Sequence, residues 1–232
     1  MTLVLDRLHK SFGGVHAVDE IALEIAPASI TGLIGPNGSG KTTLLSLVAG
    51  TLRPTSGRIR MDERDLTGHG PQQMVHHGIA RTFQTTRVMP TWSVRSALEL
   101  ALRTGRARGA DLDRVVDVTG IRGYVDRPAT SLTNAAQRLV MVASALATGP
   151  RVLLLDEPAV GMDPGEADDL HVVVRRCRDE LGVSVVVVEH NMRFLMSLAD
   201  DVVVMASGAV IAHGTPEQVR NDPAVISAYL GG

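Results

Sequence analysis

The sequence has little cysteine, few aromatic residues and no long hydrophobic run, and each shortage excludes a class of protein. Cys177 is the only cysteine among 232 residues, so neither an internal disulfide nor a thiolate metal cluster can form. Aromatic residues make up 3%, which argues against a stacking surface for single-stranded nucleic acid. The apolar runs at 185–188 and 202–206 are far shorter than the roughly 18 residues that span a bilayer. No direct membrane insertion is therefore expected.

An excess of charge of either sign is also lacking. The chain carries 23 Lys and Arg against 25 Asp and Glu, a formal net charge of −2, so no electrostatic attraction to nucleic acid is expected. The first six residues contain no basic stretch followed by an apolar one, so no secretory signal is visible. We expect a cytoplasmic protein without a nucleic-acid partner. We also expect Cys177, in an apolar and basic run, to be a buried helix residue.

Hydrophobic periodicity predicts an α/β protein. In the first 30 residues apolar and polar residues alternate, which is typical of half-buried antiparallel strands, and Gly13-Gly14 indicates a turn between them. The continuous apolar run at 152–155 and the mainly apolar segment at 183–188 indicate buried strands of a mostly parallel sheet. Helical spacing dominates from about 94 to 147, with no convincing strand.

This pattern predicts one domain over residues 1–232. We expect a core at about 1–92 and 150–232, consisting of a mostly parallel sheet and an N-terminal antiparallel β subdomain. An α-helical subdomain at about 93–149 would be inserted into that core. Ligands of such sheets bind at the carboxyl ends of the strands.

The most specific motif is the segment 35–42, which reads Gly-Pro-Asn-Gly-Ser-Gly-Lys-Thr. It matches the phosphate-loop pattern G-x-x-x-x-G-K-[ST] in full and lies between a predicted strand and a predicted helix, as that loop requires. Its glycines let backbone N–H groups point at phosphate oxygens, and the helix N-terminus adds positive potential. Lys41 would reach the β- and γ-phosphates, and the Thr42 hydroxyl would bind Mg²⁺. The predicted nucleotide contacts here are Gly35, Pro36, Asn37, Gly38, Ser39, Gly40, Lys41, Thr42 and Thr43.

Two acids and a histidine follow other buried strands. Asp156 ends the apolar run 152–155, where its carboxylate can hold Mg²⁺ directly or through water. Glu157 comes one residue later, points differently and can polarise a water for attack on the γ-phosphate. An acidic strand end at the surface is the alternative, which the phosphate loop makes much less favoured. His190 follows the strand 183–188, and its position alone leaves a structural role and a γ-phosphate contact equally open.

Taken together, these residues resemble the ATP-binding subunits of ABC transporters over nearly the whole chain. The resemblance implies ATP and Mg²⁺ as cofactors, an aromatic that stacks on adenine, a glutamine loop at the coupling surface, an aspartate loop and a switch histidine. The implied catalytic residues are Lys41, Glu157 and His190, and the implied metal ligands are Thr42, Gln84 and Asp156. The further implied nucleotide contacts are Phe12, Gln84, Thr133 and Asp163.

A narrower resemblance is to the ATPases of branched-chain amino-acid importers. It is carried by the segments 78–84 and 188–192 and by the tail 214–231. It implies an ATP-hydrolysing subunit that docks on membrane permease subunits, peripheral on the inner face of the cell membrane. The family's ATPase does not contact the solute.

One segment departs from the family pattern. The signature Leu-Ser-Gly-Gly-Gln, which caps the γ-phosphate of ATP held by the opposing subunit, is Leu-Thr-Asn-Ala-Ala at 132–136. Thr133 keeps a hydroxyl. Ala135 adds a Cβ where the backbone should approach phosphate closely, and Ala136 removes the amide side chain. Ser144 stands where the family usually has Arg.

The altered signature leaves two interpretations of the assembly open. In the first, which we favour, the chain pairs with a different ATPase whose signature is intact. In the second it forms a homodimer with two weakened sites. A functional alternative also follows, in which the chain is a degenerate subunit that clamps ATP and hydrolyses little of it.

Overall fold

Secondary structure in the computed structural model is given for residues 2–82, 92–105 and 111–230. The strands there are β1 (Leu3–Phe12), β2 (Val15–Ile25), β3 (Ile30–Ile34), β4 (Ser56–Met61), β5 (Arg64–Asp65), β6 (Ile79–Arg81), β7 (Val152–Asp156), β8 (Ser184–Val188), β9 (Asp201–Ala206) and β10 (Ala209–Gly214). The helices are α1 (Lys41–Val48), α2 (Pro71–His77), α3 (Val94–Thr104), α4 (Leu112–Thr119), α5 (Asn134–Ala147), α6 (Pro164–Asp179), α7 (Met192–Leu198), α8 (Pro216–Arg220) and α9 (Pro223–Leu230). Two short 3₁₀ turns lie at Arg122–Tyr124 and Ala129–Ser131.

The strands form two sheets. The smaller one is antiparallel, in the order β2-β1-β4-β5, and the larger one has the order β10-β9-β3-β8-β7-β6. All neighbours in the larger sheet are parallel except β10, which pairs antiparallel with β9. Leu33 and Asp156 both pair with Val188, so β3, β7 and β8 end together at one edge. That edge is where a parallel sheet binds its ligands.

The larger sheet is covered on both faces, and β7 shows how its sequence achieves this. Leu153 and Leu155 pack into a core shared with the helices α3 to α6, whereas Val152 and Leu154 pack into a second core with α1 and the antiparallel sheet. Because successive side chains of a strand point to opposite faces, a strand buried on both sides must be apolar at every position. The apolar run of β7 therefore holds Asp156 rigidly at the ligand edge.

The predicted α/β fold with a mostly parallel sheet and an N-terminal antiparallel sheet is confirmed. Helix α5 begins at Asn134 because Thr133 caps it: the Thr133 hydroxyl accepts from the backbone N–H of Ala136. Cys177 is fully buried in α6, and burial raises the pKa of its thiol to about 12. None of the helices in the described ranges is long and apolar enough to cross a membrane.

Candidate functional site

The phosphate loop leads from the end of β3 into the start of α1. Gly40 occupies the cap position of α1 with φ 101° and has no side chain, so the N–H groups of the first helical turn have no capping oxygen there. Helix N-termini bind anions through such groups. Of the predicted contacts in this segment, Ser39 and Lys41 are buried, whereas Asn37, Gly38 and Thr42 are exposed.

Gly35 and Gly40 are required by close approach to neighbouring strands as well as by their backbone angles. A Cβ at Gly35, which has φ +150°, would lie 2.0 Å from the carbonyl oxygen of Met205. A Cβ at Gly40 would lie 2.1 Å from the carbonyl oxygen of Ala17. The loop is therefore wedged between β9 and β2, and its curled shape is maintained by the surrounding fold.

We expect Gly40→Ala to destabilise the protein more than Gly38→Ala. Both glycines have positive φ, which costs an alanine about 1–2 kcal/mol. Only Gly40 has a neighbour within reach, whereas a Cβ at Gly38 meets nothing within 4 Å. Overpacking should add roughly 1–3 kcal/mol for Gly40→Ala alone. Urea unfolding without nucleotide measures both variants, and equal losses of unfolding free energy would contradict the wedge.

Lys41 is a buried cation at the centre of this loop. The residue is 6% exposed, and its Nζ donates to the carbonyl oxygens of Gly35 at 2.8 Å and Pro36 at 3.0 Å. Burial lowers the pKa of Lys41, and the nearby carboxylates of Glu157 and Asp156 act in the opposite direction. A cation that the protein has already desolvated suits a multiply charged anion such as a phosphate chain.

Asp156 forms a buried ion pair that sequence reasoning missed. Its Oδ2 accepts from Nη2 of Arg81 at 2.7 Å, and Asp156 is 4% exposed. Nη1 of Arg81 also donates to Oγ of Ser46 on α1, at 2.9 Å. The signal was the position of Arg81 at the end of the buried strand β6, because a buried arginine almost always has an anionic partner.

Glu157 and His190 are brought into direct contact. Nε2 of His190 lies 2.7 Å from Oε1 of Glu157, and since an ionised carboxylate only accepts, the histidine N–H donates. The backbone N–H of Glu157 donates to the carbonyl oxygen of Val188 at 2.9 Å. Glu157 also has φ +49°, an unfavourable angle for a residue with a side chain. Strained backbone angles are concentrated at functional sites, and this angle turns the side chain of Glu157 away from the direction it would have in a continuing strand.

The remaining predicted contacts lie at separate places. Phe12 ends β1 and is 48% exposed, with Nζ of Lys10 5.0 Å from its ring centroid. Asp163 caps α6 by accepting from the backbone N–H of Glu166 at 2.9 Å. Thr133 caps α5, so the altered signature still opens a helix. Gln84 lies outside the residues that the structure describes.

A second residue that sequence reasoning missed is Tyr229 on the C-terminal helix α9. Burial raises the pKa of its phenol, and the phenol also has a hydrogen bond to the backbone of Gly35. The sequence feature that could have indicated Tyr229 is the tail 214–231, which contains it and resembles the tails of the importer ATPases. The chain terminus thus reaches the first residue of the phosphate loop.

The residues of this edge fit a magnesium nucleotide. The uncapped first turn of α1 and the buried Lys41 suit phosphate oxygens. The exposed Thr42 hydroxyl and the carboxylate of Asp156 offer the oxygen ligands that Mg²⁺ takes in proteins. The ion pair with Arg81 is made through Oδ2 of Asp156.

Comparison with known protein families gives two matches. The family described as ABC transporter matches residues 18–160. A second family, described as branched-chain amino acid ATP-binding cassette transporter, matches residues 209–232.

Curated relatives and solved structures match over the full length. The chain is 36% identical to the high-affinity branched-chain amino acid transport ATP-binding protein LivG of Salmonella typhimurium, over 99% of this chain and 97% of that one. It is 34% identical to the corresponding protein BraF of Pseudomonas aeruginosa, with the same coverage. A crystal structure of a nucleotide-free ATP-binding cassette from an ABC transporter covers 100% of both chains with a TM-score of 0.89 and 28% identity. The ADP conformation of an ABC transporter cassette gives 0.87 and 28%, again over 100% of both.

Proposed function

This chain belongs to the ATP-binding subunits of ABC transporters and is an ATPase, and from that membership we propose that it powers the import of branched-chain or related amino acids. The observation that carries the catalytic part is the 2.7 Å contact between Glu157 and His190 at the sheet edge that also holds Lys41. The solute class is supported by the relatives at 36% and 34% identity, whose names state branched-chain amino acid transport.

Lys41 and the start of α1 would hold the phosphates of ATP, and the exposed ring of Phe12 would stack on adenine. Thr42 and Asp156, with Gln84, would hold Mg²⁺. The ion would supply positive charge to the phosphate oxygens. Arg81 fixes the position of Asp156, because its guanidinium donates both to that carboxylate and to Ser46 on α1, the helix that carries Thr42.

Glu157 would act as general base towards the attacking water. Its carboxylate accepts a hydrogen bond from His190, which fixes its orientation. His190 is 43% exposed at its side chain, so it can also face a γ-phosphate from the same edge. These two residues come from the ends of adjacent strands, β7 and β8, and a shift of either strand end would separate them.

Membrane permease subunits are the proposed partners, and a groove beside the site is the proposed docking surface. The groove has a volume of about 600 Å³ and is lined mainly by α2 and the end of α3, with Val75, Ile79, Arg81 and Arg103 among its residues. Arg103 suits an acidic or helix-C-terminal end of a cytoplasmic permease segment, whereas the side chain of Arg81 is 9% exposed and already paired with Asp156. Because Arg81 lines the groove and binds Asp156, a permease segment that displaces Arg81 would also disturb Asp156.

A companion ATPase is the proposed second partner, in preference to a second copy of this chain. The start of α5 favours this pairing, because Ala135 adds a Cβ where the family's backbone approaches the opposing nucleotide, and Ala136 lacks the amide side chain of the signature. The same substitutions favour a second candidate function. In that function the chain clamps ATP with little hydrolysis.

The solute proposal predicts ATP-dependent uptake of leucine, isoleucine and valine. The complete transporter, with its permeases and companion ATPase, would be reconstituted in proteoliposomes with its binding protein, and uptake of each labelled amino acid measured. A Val75→Glu variant places a negative charge in the groove, where it would repel an acidic end of the permease segment. It should reduce uptake but leave ATP binding unchanged. Uptake of unrelated solutes only, with ATP hydrolysis intact, would refute the solute class and leave the ATPase assignment standing.

A further inference from the structure

We propose that Arg138 and Glu189 are positioning residues that grip the segment 157–159 from two sides and so set the contact between Glu157 and His190. We call residues 157–159 the hydrolysis loop. The inference rests on the proposed role of Glu157 in hydrolysis. Neither Arg138 nor Glu189 is assigned a role by the phosphate-loop or signature motifs.

Arg138 holds the hydrolysis loop by its carbonyl groups. It lies on α5, one helical turn after the first residue, Asn134. Its Nη1 donates to the carbonyl oxygen of Pro158 at 2.8 Å and to that of Glu157 at 3.2 Å. The guanidinium is planar and its donors have fixed directions, so it restrains both position and orientation of these two peptide groups.

Glu189 holds the same loop by the backbone N–H of Ala159. It is 2% exposed, and Oε1 accepts from the backbone N–H of Ala159 at 2.6 Å. Its Oε2 accepts from the backbone N–H of His190 at 3.2 Å, and the N–H of Asn191 donates to the same carboxylate. Burial raises the pKa of Glu189, and these N–H donors oppose that shift. A buried carboxylate is retained only where such donors compensate for its lost hydration.

The hydrogen bonds of Arg138 and Glu189 together fix the relative position of Glu157 and His190. Glu189 binds the backbone next to both members of the Glu157–His190 pair: the N–H of Ala159, two residues after Glu157, and the N–H of His190 itself. Arg138 prevents the loop from relaxing away from the left-handed angle of Glu157, because it pulls on the carbonyl of that same residue. A displacement of about 1 Å in a catalytic group can cost on the order of 100-fold in rate.

The grip also joins the altered signature to the catalytic residues of the same chain. Thr133 caps α5 and Arg138 lies on the first turns of that helix, so a movement of its N-terminus moves Arg138. Arg138 would pass that movement to the carbonyls of Glu157 and Pro158. This link needs neither the signature glycines nor the signature amide, which the chain lacks.

The test compares turnover of the complete transporter carrying Arg138→Met or Glu189→Ala. We expect kcat for Mg-ATP to fall by roughly 10- to 100-fold, with KM for ATP changed by less than about 3-fold. Arg138→Lys, which keeps one donor, should recover part of the loss. Glu189→Gln keeps the side-chain volume but has one acceptor oxygen, so its kcat should lie between those of wild type and Glu189→Ala. It replaces the alanine variant if that variant does not fold.

Arg175→Met is the matched control, since Arg175 also lies on a helix and donates to a backbone carbonyl, that of Ser197. It should leave kcat unchanged. In a Glu157→Gln background, single-turnover rates should show no further loss from Arg138→Met, because both changes act through one carboxylate. An additive loss, a parallel rise in KM, or wild-type turnover of Arg138→Met would overturn the inference. Wild-type turnover of Glu157→Gln would instead refute the proposed role of Glu157 as general base.

Discussion

Glu157→Gln is expected to slow Mg-ATP hydrolysis by about 100-fold or more while leaving ATP bound, because a glutamine cannot take a proton from water and general-base catalysis contributes roughly 10²–10⁴-fold. The substitution keeps the volume of the side chain, and its amide oxygen can still accept from Nε2 of His190 as Oε1 does now. Phosphate release under saturating Mg-ATP measures the rate. Equilibrium binding of a fluorescent ATP analogue measures the affinity.

The control for this substitution is Glu217→Gln on α8, which changes an exposed carboxylate to the same amide. It should behave as wild type in both assays. Hydrolysis by Glu157→Gln at the wild-type rate would show that another group activates the water. Wild-type protein that binds ATP but shows no turnover beside its companion ATPase would favour the clamp function instead.

The same variant also decides between the two assemblies. Blocking hydrolysis should trap any dimer that closes on ATP, so the mass of Glu157→Gln is measured alone, with and without Mg-ATP. A dimer that appears with Mg-ATP would mean that the segment 132–136 still seals a γ-phosphate, as the homodimer requires. A protein that binds ATP and remains a monomer would favour pairing with an ATPase that has an intact signature.

Lys41→Ala is expected to abolish measurable ATP binding at micromolar nucleotide. A hydrogen bond to a charged group contributes about 1.5–3 kcal/mol, which corresponds to roughly 10- to 150-fold in affinity, and Lys41 would contact more than one phosphate. The loss has a second cause. Without its Nζ the carbonyl oxygens of Gly35 and Pro36 have no side-chain donor, so the loop can relax from its curled shape. Titration calorimetry with Mg-ATP measures the affinity.

Thermal unfolding without nucleotide separates these two causes. Loss of the Nζ hydrogen bonds to Gly35 and Pro36 should lower the unliganded stability, whereas the loss of phosphate contacts has no effect without nucleotide. Arg64→Ala, which removes an exposed cation from β5, is the control and should bind ATP normally. Unchanged ATP affinity in a folded Lys41→Ala protein would mean that the nucleotide binds elsewhere.

The sequence by itself determined the phosphate loop and the family. The loop could be predicted because all of its residues are contiguous, so glycines, Lys41 and Thr42 imply one local geometry wherever a strand leads into a helix. The positions of Asp156 and His190 at strand ends could be predicted for a similar reason, since short apolar runs mark buried strands and the residue after such a run lies at the edge. The same reasoning predicted Cys177 as a buried helix residue.

Only the tertiary structure decided which of these residues meet. The partners Arg81 and Asp156 are 75 positions apart, and Glu157 and His190 are 33 apart. Their contacts depend on the order of strands in the sheet, β8-β7-β6, which local periodicity does not specify. The grip of Arg138 and Glu189 on backbone groups was hidden for a further reason. Peptide N–H and C=O groups occur at nearly every residue, so no side-chain pattern marks the ones that are held.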